Sequence, residues 1–322
     1  MGVTIGKLAP FVKVVALKNA ISKSISDKLA AKSRSIDKAV PYLFILPFVI
    51  SFFIFFLFPA VYTFVLSFFR FRGFGPMTFV GLQNYRAILQ LSTFWSAVRN
   101  TGFYFFWHTV PTMFFAFTFA YMLQSKIMSR VQKYFKPIVF LPQVVPIVAS
   151  ALIWRIMLAT QFGAVNQILG TDINFLLGEG IRRWSVVVLQ TWRATGWYMI
   201  IFLAGLTTVS DEIIDATKVD GAGVLRRIFS VVLPMMKPIL LFVFIMNAIG
   251  SIRLFTEPNV LLSPGGSWID HPNAMTIINI MLMNLRGGNF GMASAVGWML
   301  FVVTVCATLI WFKLLGGKKE EY

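Results

Sequence analysis

Charged residues are scarce in this chain. Asp, Glu, Lys and Arg make up 13% of its 322 residues, whereas soluble domains usually carry about 25%. Apolar residues make up 57% and aromatic residues 16%. This composition excludes an ordinary soluble domain and predicts a membrane protein.

Acidic residues are the scarcest charged group, with 12 Asp and Glu against 29 Lys and Arg and a net charge of +17. A nucleic-acid-binding protein would gather its basic residues on one folded face. Here they lie in loops between long apolar runs. The charge therefore argues against a nucleic-acid partner and for the positive-inside distribution of a membrane protein.

Residues for redox and metal chemistry are also few. The single cysteine, Cys306, lies in an apolar run and has no partner for an internal disulfide, so we interpret it as a small buried hydrophobe. His108 and His271 are far apart and form no metal-ligand pattern, and His108 is expected to be a packed or substrate-facing polar residue. The chain has no G-x-x-x-x-G-K-[ST] loop and no catalytic triad pattern. We therefore predict no enzymatic activity, no metal and no cofactor in this chain.

Long apolar runs predict an all-α fold, a polytopic membrane helix bundle in residues 39–315. A helix needs about 20 apolar residues to cross a bilayer. Six runs meet or approach this length: 39–69, 102–123, 137–158, 184–206, 229–252 and 293–315. A further apolar piece at 276–285 is too short to span and predicts an interfacial or re-entrant helix.

The basic residues orient the bundle. Roughly two thirds of the 29 Lys and Arg lie on the side that holds both termini and the loop at 210–230, which predicts that this side is cytoplasmic. Apart from Arg193, the remaining basic residues are arginines on the opposite side. Residues 1–38 form a basic cytoplasmic extension without the apolar core of a signal peptide. This extension either lies on anionic membrane lipid or is a loosely ordered tail, and residues 316–322 form a short cytoplasmic tail.

The loop at 210–230 has the pattern of a helical hairpin. Ser210 is a good N-cap for a helix running to about Val219. Gly221 permits a turn that other residues avoid, and Asp220 is placed to cap a second helix that starts near Val224 and leads into the next span. The loop is either a docking surface or a simple connection, and its length favours docking because a connection needs only a few residues.

The same loop resembles the EAA motif of the permease subunits of binding-protein-dependent ABC importers. That motif reads Glu-Ala-Ala, three residues, Gly, nine residues, then Ile-x-Leu-Pro. The spacing is kept here, with Asp for Glu, Thr for the second Ala and Val for Ile. The positions that the resemblance assigns to coupling with an ATPase are Asp215, Ala216, Thr217, Asp220, Gly221, Ala222, Val231, Leu233 and Pro234.

Further blocks are similar to the carbohydrate-importer branch of this family. They lie at 79–89, 140–154, 202–206 and 220–223, and a departure occurs in the polar turn at 261–276. The resemblance implies a bacterial inner-membrane subunit that forms half of a sugar channel. It also implies a second homologous permease subunit, two ATPase subunits that bind ATP and Mg²⁺, and an extracytoplasmic solute-binding protein.

Polar and aromatic residues within or next to the spans are candidates for the substrate pathway. Polar groups in hydrocarbon are costly, so those that are present there usually have a function. The candidates are Gln190, Trp192, Arg193, Trp197, Tyr198, Asn247 and Arg253. Each could instead serve hydrogen bonding between helices or anchoring at the membrane interface. Arg193 could favour an anionic sugar or pair within the protein.

An ion-coupled secondary transporter is the alternative from another class. It is disfavoured because the carboxylates of Asp172, Glu179, Glu257 and Asp270 are expected in external loops rather than in spans, and because no inverted repeat is evident. A membrane-bound scaffold is disfavoured by the hairpin.

Overall fold

The computed structural model describes residues 40–124, 129–263 and 273–315. The predicted extension at 1–38, the tail at 316–322 and the part of the polar turn that contains Asp270 and His271 lie outside these ranges. Contacts divide the chain into two compact units, Met1–Thr63 and Phe64–Tyr322.

The first described helix, α1, covers Val40–Leu66, close to the predicted span at 39–69. None of its most apolar 18-residue window is buried. A π-helical turn, Phe53–Leu57, interrupts it, and Phe52 stacks on Phe56 with 5.2 Å between ring centroids.

The regular elements in the rest of the described chain are helices and one two-stranded ribbon, in which Phe69 pairs with Phe79. Helices are the expected solution because backbone groups in hydrocarbon must be satisfied within the segment. The elements are β1 Phe69–Arg70, β2 Thr78–Phe79, α2 Gln83–Gln90, α3 Ser92–Gln124, α4 Ser129–Val144, α5 Ile147–Met157, α6 Ala164–Leu169, α7 Arg182–Leu206, α8 Asp211–Val219, α9 Val224–Met235, α10 Lys237–Ile252, α11 Thr256–Leu262, α12 Ile277–Arg286 and α13 Phe290–Leu315.

The long helices α3 and α7 pack along each other at the centre of the second unit. Buried apolar side chains form two clusters along this pair, one around Tyr104 and Leu189 and one around Phe202 and Met236. Close approach of α4 to α7 depends on Gly196, since a Cβ there would lie 2.1 Å from the Val139 carbonyl oxygen.

Two of the predicted spans are bent. The run at 137–158 divides into α4 and α5, which meet at 98°, and the run at 229–252 divides into α9 and α10, which meet at 81°. Pro146 stands at the first break, where it supplies no N–H and disfavours helical angles in the residue before it. Met236 stands at the second break, two residues before Pro238.

Three described helices, α1, α7 and α13, are long and apolar enough to cross a membrane, and each bent pair adds one more if it counts as a span. The predicted span at 102–123 lies within α3, whose 33 residues are long enough to cross. Its His, Thr and Pro residues lower its hydropathy, so length rather than hydropathy supports the sixth span. The short helix predicted at 276–285 is α12, which packs against α13. Cys306, expected to be buried, is exposed on α13.

Candidate functional site

The predicted hairpin at 210–230 forms as two helices joined by a tight turn, and its second helix continues to Met235. Ser210 caps α8, and its hydroxyl oxygen accepts a hydrogen bond from the Ile213 N–H at 3.4 Å. The Lys218 ammonium lies 2.6 Å from the Asp215 carboxylate one turn earlier. The bounds of α8, Asp211–Val219, are those that the sequence predicted.

Gly221 makes the turn possible. Its φ of 73° lies in the left-handed region. The Gly221 N–H donates to the Lys218 carbonyl and the Ala222 N–H donates to the Thr217 carbonyl, both at 3.0 Å. These two bonds form a Schellman motif, which satisfies carbonyls that the end of α8 would otherwise leave without partners. The turn is therefore a defined, rigid connection.

Asp220 does not cap the second helix, contrary to the prediction. It is the C-cap of α8, and Gly223 is the N-cap of α9, without a side-chain cap. The Schellman turn uses two more residues before α9 can begin, which moves the N-cap past Asp220. Arg227 ties α9 back to this turn, because its guanidinium Nη2 donates to the Ala222 carbonyl at 3.2 Å.

The hairpin has an exposed apolar surface and an anchored base. Val219, Leu225 and Phe229 are 88%, 71% and 67% exposed. At the base, Val209 and Val232 are buried in the cluster around Phe202 and Met236. A segment fixed at its base with apolar side chains at its tip has the character of a protein-binding surface.

The predicted coupling residues fall into two places. Asp215, Ala216, Asp220 and Gly221 are exposed at the tip, and Thr217 and Ala222 are half-buried beside them. Val231, Leu233 and Pro234 lie in the second half of α9, just before the 81° bend. This half of α9 includes a π-helical turn, Ile228–Val232.

The structure does not bring the predicted pathway residues into one cavity. Asn247 and Tyr198 are buried inside the bundle, whereas Arg253 is exposed at the end of α10. Trp192 packs on Trp154 with 5.6 Å between ring centroids, and Trp197 stacks on Phe140 at 6.3 Å. Both of these tryptophans keep more than a third of their surface exposed.

Asn247 belongs to a buried network between helices, which is the alternative that the sequence left open for it, although its partners were not predicted. Its Oδ1 accepts a hydrogen bond from the Thr109 hydroxyl at 2.6 Å, and its Nδ2 lies 3.3 Å from the His108 Nε2. The His108 Nδ1 lies 3.1 Å from the Thr112 hydroxyl. If the Asn247 amide donates to Nε2, the neutral ring carries its proton on Nδ1. His108 is thus a packed residue that joins α3 to α10.

Arg193 is paired within the protein. Its Nη1 lies 3.8 Å from the Glu257 Oε1, and both side chains are about one tenth exposed. Its Nη2 donates to the Val145 carbonyl at the α4–α5 break at 3.4 Å. Glu257 was expected in an external loop, but α11 packs it against α7 and buries it. Nothing in the sequence around Glu257 distinguishes it from a loop carboxylate.

Two predicted pathway residues retain polar atoms without partners. The Gln190 Oε1 and the Arg193 Nε are buried and have no hydrogen-bond partner. Buried polar atoms are normally satisfied. This face of α7 can therefore accept a further polar group without breaking an existing bond.

Comparison with known proteins gives a consistent result. The model of a family described as "Binding-protein-dependent transport system inner membrane component" matches residues 112–315. The arabinooligosaccharides transport system permease protein AraP of Bacillus subtilis (strain 168) is 33% identical over 297 residues, covering 88% of this chain and 91% of AraP. The trehalose/maltose transport system permease protein MalF of Thermococcus litoralis is 28% identical over 298 residues, covering 90% and 98%.

A solved structure has the same fold. One chain of a bacterial alginate ABC transporter, crystallised in complex with an alginate pentasaccharide-bound periplasmic protein, matches with a TM-score of 0.75. The match covers 87% of this chain and 96% of the other at 21% sequence identity. At this identity the likeness concerns the fold alone.

Proposed function

The chain belongs to the family of binding-protein-dependent transport system inner membrane components, and on that premise we propose that it forms half of a transmembrane pathway for an oligosaccharide. It is a multi-pass permease subunit of an ABC importer. Subunits of this kind carry out transport and are not enzymes. No finding favours the ion-coupled alternative.

The substrate class rests on relatives and on exposed aromatic side chains. The relatives' names specify arabinooligosaccharides and trehalose or maltose. Trp192 and Trp197 present exposed rings on α7, and aromatic faces are apolar surfaces on which sugar rings can pack. We assign Trp197, with Gln190 and Arg193, to the pathway face of α7, because these three positions lie within about 60° of one another on the helix, whereas Trp192 lies on nearly the opposite side from Gln190.

The hairpin is the observation that carries the coupling proposal. A partner ATPase subunit binds its exposed tip and buries Val219, Leu225 and Phe229, which gains free energy by removing apolar surface from water. The Schellman turn keeps the tip rigid, and α9 leads from it to the bend at Met236. Movement of the ATPase is thereby passed to α10.

The complete importer holds four membrane-associated subunits in this proposal. A second homologous permease subunit completes the pathway, and two ATPase subunits bind ATP and Mg²⁺, since the sequence of this chain has no G-x-x-x-x-G-K-[ST] loop. A binding protein delivers sugar from outside. ATP closes the ATPase dimer and turns the spans from inward-facing to outward-facing, and hydrolysis resets them. Both termini and the hairpin lie in the cytoplasm, which the Lys and Arg distribution supports.

Copurification tests the assembly. The chain is expressed with its neighbouring genes and solubilised in detergent, and ATP hydrolysis is measured with candidate binding proteins. We expect ATPase and second permease subunits to copurify, with hydrolysis stimulated by the cognate binding protein. A chain that purifies without an ATPase would contradict the proposal, and ion-gradient-driven uptake into vesicles would then favour the secondary transporter.

Gly221→Asp tests the hairpin within that complex. Aspartate adds a charge and a side chain at the tip where φ is 73°, so we expect the ATPase to dissociate while the membrane fold remains intact. Gly223→Asp is the matched control, because Gly223 has an ordinary extended conformation at an N-cap, where Asp is favoured. Retained ATPase binding and transport in Gly221→Asp would refute the coupling role.

A further inference from the structure

A long apolar groove lies between α3, α4 and α7. Its volume is about 560 Å³. From α3, four residues spaced at intervals of four line it: Trp107, Pro111, Phe115 and Phe119. The side-chain polar groups in its described lining are the hydroxyls of Thr191 and Thr195 and the indole N–H groups of three tryptophans. The Thr195 hydroxyl already donates to the Thr191 carbonyl at 2.6 Å. Such a groove suits a hydrocarbon chain better than a sugar.

A second, polar cavity of about 260 Å³ lies near one end of this groove. Arg99 and Arg183 line it together with Glu179, so these three side chains carry a net charge of about +1 at neutral pH. The Arg99 Nη2 donates to the Ser96 hydroxyl at 3.1 Å, and the Arg183 Nη1 donates to the Asn100 Oδ1 at 3.4 Å. Each guanidinium has five N–H donors, so donors remain for an anion.

Although Glu179 lines the same cavity, neither arginine forms an ion pair within 4.0 Å in the described part of the chain, where the pairs at this distance are Arg193–Glu257 and Lys218–Asp215. Arg183 is also the second residue of α7, whose amino-terminal end carries the positive end of the helix dipole. The polar cavity therefore favours an anionic group.

An aromatic bridge joins the two cavities. The Arg183 guanidinium carbon lies 4.4 Å from the centroid of the Phe103 ring. Phe103 lies 5.2 Å from Trp184 and 6.3 Å from Trp107 between ring centroids, and these two tryptophans line the groove. Tryptophans of this kind are typical of the membrane interface, so the cationic cavity lies at headgroup level and the groove runs inward from it.

The dimensions match one leaflet. From Trp107 to Phe119, α3 rises about 18 Å at about 1.5 Å per residue. Half of the hydrocarbon core of a bilayer is about 15 Å thick. An acyl chain entering beside Trp107 would follow the groove to the middle of the membrane.

We propose that these two cavities together bind one phospholipid with an anionic headgroup. Its phosphate lies between Arg99 and Arg183, and one acyl chain lies along the groove past Trp107 and Phe115. Both parts of the ligand are required. A soluble anion would use only the polar cavity, and a zwitterionic lipid would bring a headgroup cation as well as its phosphate to a cavity whose side chains already carry a net positive charge.

Native mass spectrometry of the detergent-solubilised, copurified complex tests the site with phosphatidylglycerol and with phosphatidylcholine of the same acyl chains. We expect phosphatidylglycerol to be retained preferentially. The double variant Arg99→Gln/Arg183→Gln should lower its retention by about 30-fold, since each arginine near a membrane surface contributes roughly a factor of five to anionic lipid binding. The matched control is Arg72→Gln/Arg86→Gln, which removes two exposed arginines outside both cavities and should leave retention unchanged.

Two further variants distinguish the effect of the arginine charges, and the effect of the groove, on lipid retention. Arg99→Lys/Arg183→Lys keeps the charges and should retain the lipid, which shows that loss in the Gln variant is not misfolding. Val188→Trp fills the groove from α7 and should reduce retention of both lipids. Equal retention of the two lipids, displacement of phosphatidylglycerol by inorganic phosphate, or binding to the isolated chain but not to the complex would each overturn the proposal. The last result would assign the groove to the partner subunit.

Discussion

Substituting Gly221 by alanine strains the hairpin turn without a steric clash. No atom lies within 4 Å of a Cβ added at Gly221, so the whole cost comes from holding an alanine at φ 73°. That cost is about 1–2 kcal/mol, which reduces the equilibrium population of the native turn about 5- to 30-fold. Asparagine tolerates the left-handed region better, so Gly221→Asn should lose less.

Gly223→Ala provides the matched comparison two residues away. Gly223 has φ −63° and ψ 164°, which any residue adopts, and a Cβ there also meets nothing within 4 Å. This variant should keep the turn, because the lower entropy of the unfolded chain offsets part of the cost of placing Ala at the N-cap of α9. Backbone strain at a positive φ is therefore present in Gly221→Ala and absent in Gly223→Ala.

Amide hydrogen exchange measures the effect directly. The Gly221 and Ala222 N–H groups form the two bonds of the turn, so residue 221 and Ala222 should exchange about 5- to 30-fold faster in Gly221→Ala than in the unsubstituted chain. ATPase affinity in the reconstituted importer should fall by a similar factor. Equal exchange rates and equal ATPase affinity in the two alanine variants would refute the argument that a residue in the left-handed conformation is needed for the hairpin to bind the ATPase.

Three other tests, each comparing a variant with a second variant, concern packing and charge. Glu257→Gln leaves the buried Arg193 charge without its partner and should lower the free energy of unfolding by about 3 kcal/mol. The double variant Arg193→Met/Glu257→Leu should recover most of this loss. Thermal unfolding of the solubilised chain measures both effects. Gly196→Ala places a Cβ 2.1 Å from the Val139 carbonyl oxygen and should lower the free energy of unfolding by about 1–3 kcal/mol. Gly250→Ala, whose Cβ would have no neighbour within 4 Å, should not destabilise the protein. An unchanged melting temperature of Gly196→Ala would contradict the close α4–α7 contact. Asp215→Asn removes an ion pair whose two side chains are more than half exposed, so it should change the free energy of unfolding by less than about 1 kcal/mol. It should nevertheless reduce copurification of the ATPase, whereas Asp215→Glu should preserve that copurification.

The hairpin could be predicted because its signals are local. Ser210 specifies the start of α8 and Gly221 its end through bonds to residues within five positions along the chain. The N-cap of α9 could not be predicted from Asp220, because the Schellman turn determines where the next helix begins. The spacing of the motif residues does not specify which type of turn connects the two helices.

The pathway residues were harder to predict because they depend on which face of each helix packs. Asn247 and Trp197 both lie in apolar runs, yet one is buried in a hydrogen-bonded network and the other is exposed. The burial of Glu257 depends on α11 folding back against α7. Pro146 lies at the first break and Pro238 next to the second, but the presence of a proline does not specify bends of 98° and 81°.

The π-helical turn in α9 gives the motif spacing a geometric meaning. Each residue added to or removed from a helix rotates everything beyond it by about 100°, and a π-turn is equivalent to one inserted residue. The interval from Gly221 to Val231 therefore sets the azimuth at which the hairpin tip projects from the bend at Met236. A single-residue deletion there would leave every side chain of the tip intact but rotate the tip by about 100° from the direction in which the proposed ATPase partner would bind it. In this segment the number of residues determines the direction of the hairpin tip about the helix axis. We therefore expect the segment to tolerate substitutions better than insertions or deletions.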